Sequence, residues 1–372
     1  MRGPGILTRY VAREVLQYTL LGLAAISLIL LVRNLGRFLD ELLGSGFAAS
    51  DVLLLCRVLV TMLLVYALPV SLLFGVLLAM GRMAADVEIV AMRACGVGLR
   101  QLVRPVLVLG LLVSAITWHL SLDVEPAARR QMRSAVASLV ARGAGLEPGR
   151  FQRFGDVLVY VDERGGDRLH GVVVSDRRDP ERPLIVFARE GHLAVGPDGM
   201  ELLLALESGD IHLDTNGRPG ERDVRIAFER FDYSLDLGAL LGSSSVPRAR
   251  DMSWSELRST VAGLRAGSPP RRLRDEPIEY DLDLQRRLAS PLAGTLFALV
   301  GLPIGMRRTR GARSLGALWC AVFAFLYYGL QTFCTFLATQ GWIDAVVALW
   351  LPNAGFAGLA AVLLAQAGRA GA

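Results

Sequence analysis

Two arginines near the end of the first apolar stretch are the first residues whose spacing suggests a binding site. Arg33 and Arg37 are four residues apart, so a helix would place both side chains on one face, one turn apart. Guanidinium groups at that spacing can hold the phosphate of a lipid headgroup through charge-assisted hydrogen bonds. Arginines at helix ends also extend to the membrane surface or pair with nearby acids, here Asp40 and Glu41. The sequence fits both interpretations, lipid-phosphate binding and interfacial anchoring.

A second candidate site is the connection between residues 81 and 98, which reads GRMAADVEIVAMRACGVG. The pattern predicts a short helix from Met83 to Cys95 with one apolar stripe. The stripe comprises Val87, Val90, Ala91 and Ala94, and the charged residues beside it are Asp86, Glu88 and Arg93. Such a helix can lie flat on a bilayer, or it can insert into a groove of a soluble partner, where Glu88 would meet a cation.

No arrangement of residues in the sequence predicts catalysis. The four histidines, His119, His170, His192 and His212, are isolated from one another and from cysteine, so no zinc-binding spacing occurs. Because the chain has no lysine, the phosphate-binding loop of nucleotide hydrolases cannot form, and no G-x-S-x-G nucleophile motif occurs. We therefore expect no cofactor and no metal, and we expect any nucleotide hydrolysis to take place on another chain.

The elements that would position these residues are membrane-spanning helices. Hydrophobic residues make up 53% of the chain, and a helix needs about 20 apolar residues to cross a bilayer core. Six stretches without Asp, Glu or Arg approach that length, and only a helix satisfies their backbone hydrogen bonds internally. They are Val15–Val32, Val58–Met80, Pro105–Leu122, Leu288–Met306, Leu315–Leu337 and Ala345–Ala367.

The arginines in the short connections predict the orientation, because such residues stay preferentially on the cytoplasmic side. They precede the first span, follow the sixth, and lie between the second and third and between the fourth and fifth spans. The loop from Ala338 to Asp344 has none. We expect both termini in the cytoplasm and residues 123–287 outside, in the periplasm of a bacterium with a double envelope.

The outside segment has the alternating pattern of β-strands. Eight short strands are predicted at Val157–Val161, Leu169–Ser175, Leu184–Arg189, Gly191–Val195, Met200–Glu207, Asp210–Thr215, Asp223–Phe228 and Phe231–Leu237. Turn signals separate them at Gly165-Gly166, Gly196-Pro197-Asp198-Gly199 and Asn216-Gly217. This spacing indicates a sandwich or jelly roll. Flanking helices are predicted at Glu125–Arg142 and at Ser253–Arg265, where Ser253 and Glu256 have capping-box spacing.

Several motifs resemble one family of membrane proteins. The run from Leu68 to Gly75 (LPVSLLFG) and the run from Glu88 to Gly96 (EIVAMRACG) are similar to the LptF/LptG family of lipopolysaccharide-export permeases. Arg9-Tyr10 to Glu14 and the entry into the fourth helix at Arg287 to Leu292 resemble it as well. The stretch from Arg33 to Arg37 is nearer to LptF than to LptG, and the resemblance covers essentially the whole chain.

The resemblance implies an α-helical membrane protein with six transmembrane helices and a periplasmic all-β domain like a jelly roll. It divides the chain into residues 1–122, with three helices and a coupling helix at about 83–95, residues 123–287, with the β domain, and residues 288–372, with three more helices. Arg286 departs from the family pattern, in which an aromatic residue often precedes the arginine that corresponds to Arg287. The family pattern therefore does not predict how the fourth helix is anchored here.

In function, the resemblance implies the permease half of an ABC transporter in the bacterial inner membrane. Its expected partners are a homologous permease, two cytoplasmic ATPase subunits, lipopolysaccharide, and periplasmic jelly-roll bridge proteins, one of them membrane-anchored. Glu88 and its neighbours Asp86, Val87, Val90, Ala91, Met92 and Arg93 would contact the ATPase. Arg33 and Arg37 would bind lipid A phosphates, and the apolar faces of Val15–Val32 and Leu315–Leu337 would meet acyl chains at gates between subunits.

Two other classes of function fit parts of the sequence. A membrane-anchored periplasmic scaffold or sensor would use the β domain to bind an envelope protein, although one or two spans would suffice as an anchor. An enzyme acting on lipid is disfavoured, since no cluster of His, Asp or Cys occurs at membrane depth.

Overall fold

The computed structural model describes most of the chain. The described residues are 4–42, 49–132, 148–154, 157–165, 168–176, 184–195, 201–213, 224–236, 248–267, 273, 275–307 and 312–369. Contacts divide the chain into two compact units. One comprises Met1–Val32, Leu59–Ala128 and Ala249–Ala372, and the other comprises Arg33–Val58 and Arg129–Arg248.

Six helices in the described residues are long and apolar enough to cross a membrane, as the sequence predicted. The helices before the sheet are α1 (Pro4–Leu42), α2 (Ala49–Ala85), α3 (Glu88–Ala94) and α4 (Leu99–His119), which continues through a π-helical turn at Leu120–Val124 to Met132. Those after it are α5 (Trp254–Arg265), α6 (Pro277–Ala289), α7 (Ala293–Gly305), α8 (Ala312–Thr339) and α9 (Ala345–Arg369). Residues 277–305 form the fourth span, in which a 3₁₀ turn at Ser290–Leu292 joins α6 to α7.

Small residues let the spanning helices approach closely. Gly75 of α2 faces Thr19 of α1, where a Cβ atom would lie 2.1 Å from the threonine hydroxyl oxygen. Lipid surrounds such helices with apolar groups, so close packing and hydrogen bonds between helices must hold them together. Ser114 of α4 lies 2.8 Å from Thr295 of α7, and the Tyr327 hydroxyl of α8 donates to the Asn353 side-chain oxygen of α9 at 2.8 Å. These contacts join α4 to α7 and α8 to α9 at membrane depth.

A buried arginine anchors the start of the fourth span. The Arg287 guanidinium donates to the Asp283 carboxylate and to the backbone oxygens of Met252, Ala249 and Arg250. Arg286 contacts the same aspartate from a more exposed position. The bonds to backbone oxygens tie the segment before α5 to α6, so α6 is anchored without an aromatic residue at position 286. The capping box of α5 is confirmed, because Ser253 and Glu256 each accept the other's backbone N–H.

The β unit contains a single six-stranded antiparallel sheet in the described residues. Its strands are β1 (Phe151–Phe154), β2 (Val157–Gly165), β3 (Arg168–Asp176), β4 (Leu184–Val195), β5 (Glu201–Leu213) and β6 (Val224–Asp236), paired in sequence order. The prediction of eight short strands was wrong in number, because the last six of them are halves of β4, β5 and β6. β1 was not predicted, and the turns at 196–199 and 216–217 lie outside the described residues.

The ladder pairing is interrupted once in each strand from β2 to β6, and these interruptions form a crease across the sheet. One residue in each strand from β2 to β6 is passed over by the ladder pairing, and these residues face one another across the strands: Asp162, Gly171, Arg189, Ser208 and Glu229. Gly171 and Ser208 have positive φ, at 64° and 54°. A Cβ atom at Gly171 would lie 2.7 Å from the Asp162 Cβ, which explains the glycine.

The crease allows the sheet to bury its own apolar face. Side chains from both sides of the crease, among them Val159, Val174, Leu204 and Tyr233, belong to one buried cluster. The Tyr233 hydroxyl of β6 donates to Asp176 at the end of β3, 2.7 Å away, and this bond joins strands that are not neighbours in the sheet. The bent sheet therefore achieves the burial that a sandwich would provide.

Jelly-roll connectivity is not confirmed, since the described strands pair as a meander without a crossover. Of the candidate inward residues, Leu204 is fully buried, whereas Phe187 lies between buried Val186 and Ala188 and points outward. The side chain of Leu193 lies outside the described residues.

Candidate coupling and lipid-contact sites

The predicted coupling helix is divided in two. A single helix from Met83 to Cys95 was wrong, because Met83 to Ala85 belong to α2, and α3 begins only at Glu88. Asp86 and Val87 form the turn between them, and Val87 has a φ of 65° in the left-handed region. For a β-branched residue that conformation costs about 1–3 kcal/mol, and it persists only where the surroundings enforce it.

The two sides of α3 have different surroundings. Ile89 is buried and belongs to a cluster with Val11 and Val15 of α1 and Met80 and Met83 of α2. On the other side the predicted stripe is exposed: Val87 and Val90 are 42% and 46% accessible, and Ala91 and Ala94 are exposed as well. Asp86 is exposed, and Met92 and Arg93 are half-buried. A row of small and β-branched residues open to solvent can insert into a groove of another protein.

Polar contacts connect this segment to α1. The Tyr10 hydroxyl donates to Glu88 Oε2 at 2.9 Å. Arg82 donates through Nη1 to Glu14 and through Nε to Asp86, the latter at 3.3 Å. Glu14 is buried, so its carboxylate requires this cationic partner. We call these five residues the polar tether.

Sequence reasoning missed the polar tether, although the signal was present. Tyr10 and Glu14 are four residues apart, as are Arg82 and Asp86, so each pair lies on one face of its helix. Nothing in the sequence indicates that the two faces meet, because about seventy residues separate them. Only the packing of α1 against the end of α2 brings these charges together.

The arginine pair at the other end of α1 is only partly described. Arg33 is exposed, and Arg37 lies one turn further along the helix, with its side chain outside the described residues. The backbone therefore places both residues on one face, as their spacing predicted. Phosphate binding by the pair stays a prediction.

Two helices have the most accessible apolar surface. The most apolar windows of α1 and α8 are 17% and 28% buried, against 56% for α2 and 61% for the fourth span. Leu20, Leu28 and Ile29 of α1 are exposed, as are Val322, Phe325 and Phe333 of α8. Exposed aliphatic and aromatic surface at membrane depth must contact acyl chains or another spanning helix.

The side chains that most often bind metal ions are dispersed in the described part of the chain. No cluster of three or more His, Cys, Asp or Glu side chains could hold a metal ion there. Cys320 and Cys334 are buried within spans, and Cys95 is exposed at the end of α3. The geometry offers surfaces for contact with lipid and with a partner protein.

Comparison with known proteins gives consistent matches. The sequence profile of the family described as "Lipopolysaccharide export system permease LptF/LptG" matches residues 9–366. The LptF permease protein of Escherichia coli K12 is 26% identical over 96% of this chain and 94% of its own length, and that of Shigella flexneri is equally similar. An uncharacterised protein of Rickettsia prowazekii, RP871, is 22% identical over 41% of this chain and 44% of its own length.

Proposed function

Because the chain belongs to the LptF/LptG family of lipopolysaccharide export permeases, we propose that it is one permease subunit of an ABC transporter. In this proposal it pairs with a homologous permease and with two cytoplasmic ATPase subunits. It extracts lipopolysaccharide from the inner membrane and passes it to periplasmic bridge proteins, one of them membrane-anchored. Both termini and α3 face the cytoplasm, and the β sheet lies in the periplasm.

The observation that carries the proposal is the two-sided environment of α3. A helix that merely lay on the bilayer would need no buried anchor in the protein, whereas Ile89 fixes α3 against α1 and α2. The stripe from Val87 to Ala94 then projects away from the helices. With Glu88 beside it, this surface suits a groove rimmed by cations on an ATPase subunit.

The lipid path is proposed along the exposed faces of α1 and α8 and the apolar cluster of the bent sheet. Exposing acyl chains to water costs about 0.8 kcal/mol per CH₂ group, so the path must stay apolar from membrane to sheet. The accessible surfaces of α1 and α8 provide the first part. The cluster that includes Val159, Val174 and Leu204 provides the second, if the sheet opens along its crease.

A bridge protein could join the sheet at β6. In the described part of the sheet β6 is the last strand in the order and its ladder partner there is β5. A strand at the end of a sheet directs backbone N–H and C=O groups away from its neighbour. Addition of a strand from another chain would satisfy those groups. An uninterrupted β surface between two proteins would then keep the acyl chains covered during transfer.

The coupling assignment is tested by replacing Glu88. We expect Glu88→Ala to reduce ATPase association and lipopolysaccharide extraction in proteoliposomes, while the membrane helices stay folded. Glu279→Ala, which removes an exposed carboxylate from α6, serves as the matched control. Full association and full extraction by the Glu88 variant would contradict the assignment.

The phosphate assignment is tested with a photoreactive amino acid at Val32, an exposed position beside the arginines. Combined Arg33→Glu and Arg37→Glu replacements should weaken crosslinking to lipopolysaccharide, and Arg258→Glu in α5 should leave it unchanged. Equal crosslinking in all three proteins would make the arginines interfacial anchors.

Purification distinguishes the permease hypothesis from the hypothesis of a periplasmic scaffold. The protein extracted in mild detergent should carry an ATPase chain and lipopolysaccharide, both detected by mass spectrometry. A preparation containing an envelope protein but no ATPase would favour the scaffold.

A further inference from the structure

The polar tether suggests how movement of the coupling segment, residues 82–94 with the end of α2, the turn and α3, reaches α1. Tyr10 and Glu14 lie on consecutive turns of α1, and each contacts a different part of the segment. Tyr10 holds Glu88 at the start of α3, and Glu14 holds Arg82 at the end of α2. Two attachment points one turn apart restrict rotation of α1 against the segment as well as separation from it.

Apolar packing supports the same connection. Val11 and Val15, next to the tether residues on α1, are fully buried against Met80, Met83 and Ile89. Further along α1, the side chains of Leu20, Leu28 and Ile29 are exposed. The beginning of α1 is therefore fixed to the coupling segment, and its remainder has the most accessible apolar surface of the six spans.

The turn at Val87 separates α3 from the end of α2. The positive φ of Val87 is maintained by the residues on either side of it. Asp86 accepts a hydrogen bond from Arg82, and Glu88 accepts one from Tyr10. Tyr10 donates to Oε2 of Glu88, and an ionised carboxylate has acceptor sites for a further donor, such as a cation on another protein. A single carboxylate can thus connect α1 to a partner.

We propose that the polar tether makes α3 and the beginning of α1 move as one body, so that an ATPase displacing α3 shifts the lipid-facing part of α1. This inference rests on the proposed function. It assigns Tyr10, Glu14 and Arg82 as positioning residues for lipid extraction, with no direct contact to lipid or nucleotide required.

Transport stoichiometry gives the first test. In the complete complex in proteoliposomes, Tyr10→Phe removes one hydroxyl and leaves the Arg82–Glu14 ion pair intact. We expect normal ATPase association and hydrolysis, and about three- to tenfold less lipopolysaccharide extracted per ATP hydrolysed, which is the range for loss of a typical hydrogen bond. Tyr160→Phe on β2 is the control for hydroxyl removal.

Distance measurement gives a second test that does not depend on transport. Spin labels are placed on Cys95 and on Ile6→Cys, both exposed, in a Cys56→Ser background. In the otherwise unchanged complex, the distance should be the same with and without an ATP analogue. In the Tyr10→Phe, Arg82→Gln double variant, the distance distribution should broaden, or its mean should shift, when the nucleotide is added.

The outcomes distinguish this inference from the proposed function. The inference would be overturned if nucleotide changed the distance as much in the complex without the two replacements as in the double variant. Normal extraction per ATP in Tyr10→Phe would also overturn it. Either result leaves the permease assignment intact if lipid is still extracted. A complex that contains no ATPase would instead overturn the proposed function itself.

Discussion

Two arginines in the helical unit, Arg287 and Arg82, form similar ion pairs in different surroundings. Each pairs with an aspartate four residues away on the chain, at 2.9 Å for Arg287 and Asp283 and at 3.3 Å for Arg82 and Asp86. The Arg287 side chain is 4% exposed, whereas that of Arg82 is 38% exposed. Arg287 also donates to three backbone oxygens, whereas the partners of Arg82 described above are side chains.

This difference separates a joint fixed by backbone oxygens from one held by side chains. Backbone oxygens cannot rotate away, and a buried guanidinium that loses them has no water to replace them, so the Arg287 contacts persist as long as the fold does. Of the two carboxylates that Arg82 contacts, Asp86 is near solvent and can exchange partners at low cost, whereas Glu14 is buried and requires the arginine. The start of the fourth span is thus a fixed joint to the backbone before α5, whereas the side chains of the polar tether connect the coupling segment to α1.

The largest effect is expected from Arg287→Met. The buried Asp283 carboxylate and three backbone oxygens would lose their partner, which for a broken buried ion pair costs about 3–5 kcal/mol. Thermal unfolding of the purified protein in detergent should show a large drop in midpoint. Arg286→Gln, which removes only the longer contact to the same aspartate, should show a small one. Equal midpoints for the two variants would mean that the joint is not fixed.

Arg82→Gln should lower the unfolding midpoint less than Arg287→Met, because water and the remaining amide can serve the exposed side of the site. Its main effect should be on function, with lipid extraction per ATP falling while the ATPase stays bound. Glutamine is similar in shape and keeps a donor, so the change tests the charge. A loss of stability matching that of Arg287→Met would show that both joints are structural.

Val87→Gly tests the turn between α2 and α3 and should change global stability by less than about 1 kcal/mol. Glycine adopts the positive φ without strain, which stabilises the folded state. Its greater conformational freedom in the unfolded chain offsets that stabilisation. Hydrogen exchange of the amides from Asp86 to Val97 should become faster, since the turn gains alternative conformations. Val87→Asn, which tolerates positive φ but restricts the backbone more, should exchange more slowly than the glycine variant.

The smallest effect is expected from the solvated pair of Asp210 and Arg225 on neighbouring strands β5 and β6. The hydrogen bond from Arg225 lowers the pKa of the Asp210 carboxyl below its usual value. Because the folded-state pKa is depressed, the pair stabilises at neutral pH and loses that contribution as the pH falls below about 4. Hydrogen exchange at the β5–β6 pairing should show a slight pH dependence there, absent in Arg225→Gln. A large dependence would mean that exposed pairs behave like Arg287.

The polar tether and the crease show how far the sequence could be interpreted. The pauses in alternation at Glu190, Ser208–Gly209 and Glu229–Arg230 predicted strand ends, but they mark positions where continuous strands bend. A local pattern reports that the alternation stops. Whether the chain then turns back or continues across a crease depends on the neighbouring strands, which the pattern does not contain.

The sequence alone determined the six spans and the β segment between them, because lipid leaves an uncharged apolar stretch no alternative to a helix. It also placed Val90, Ala91 and Ala94 on one face of α3, since their spacing follows the period of a helix. The tertiary structure alone decided which charges meet. Glu14 pairs with Arg82, Arg287 donates to the backbone before α5, and Tyr233 donates to Asp176. Packing brings these residues together, and their separation along the chain carries no information about contact.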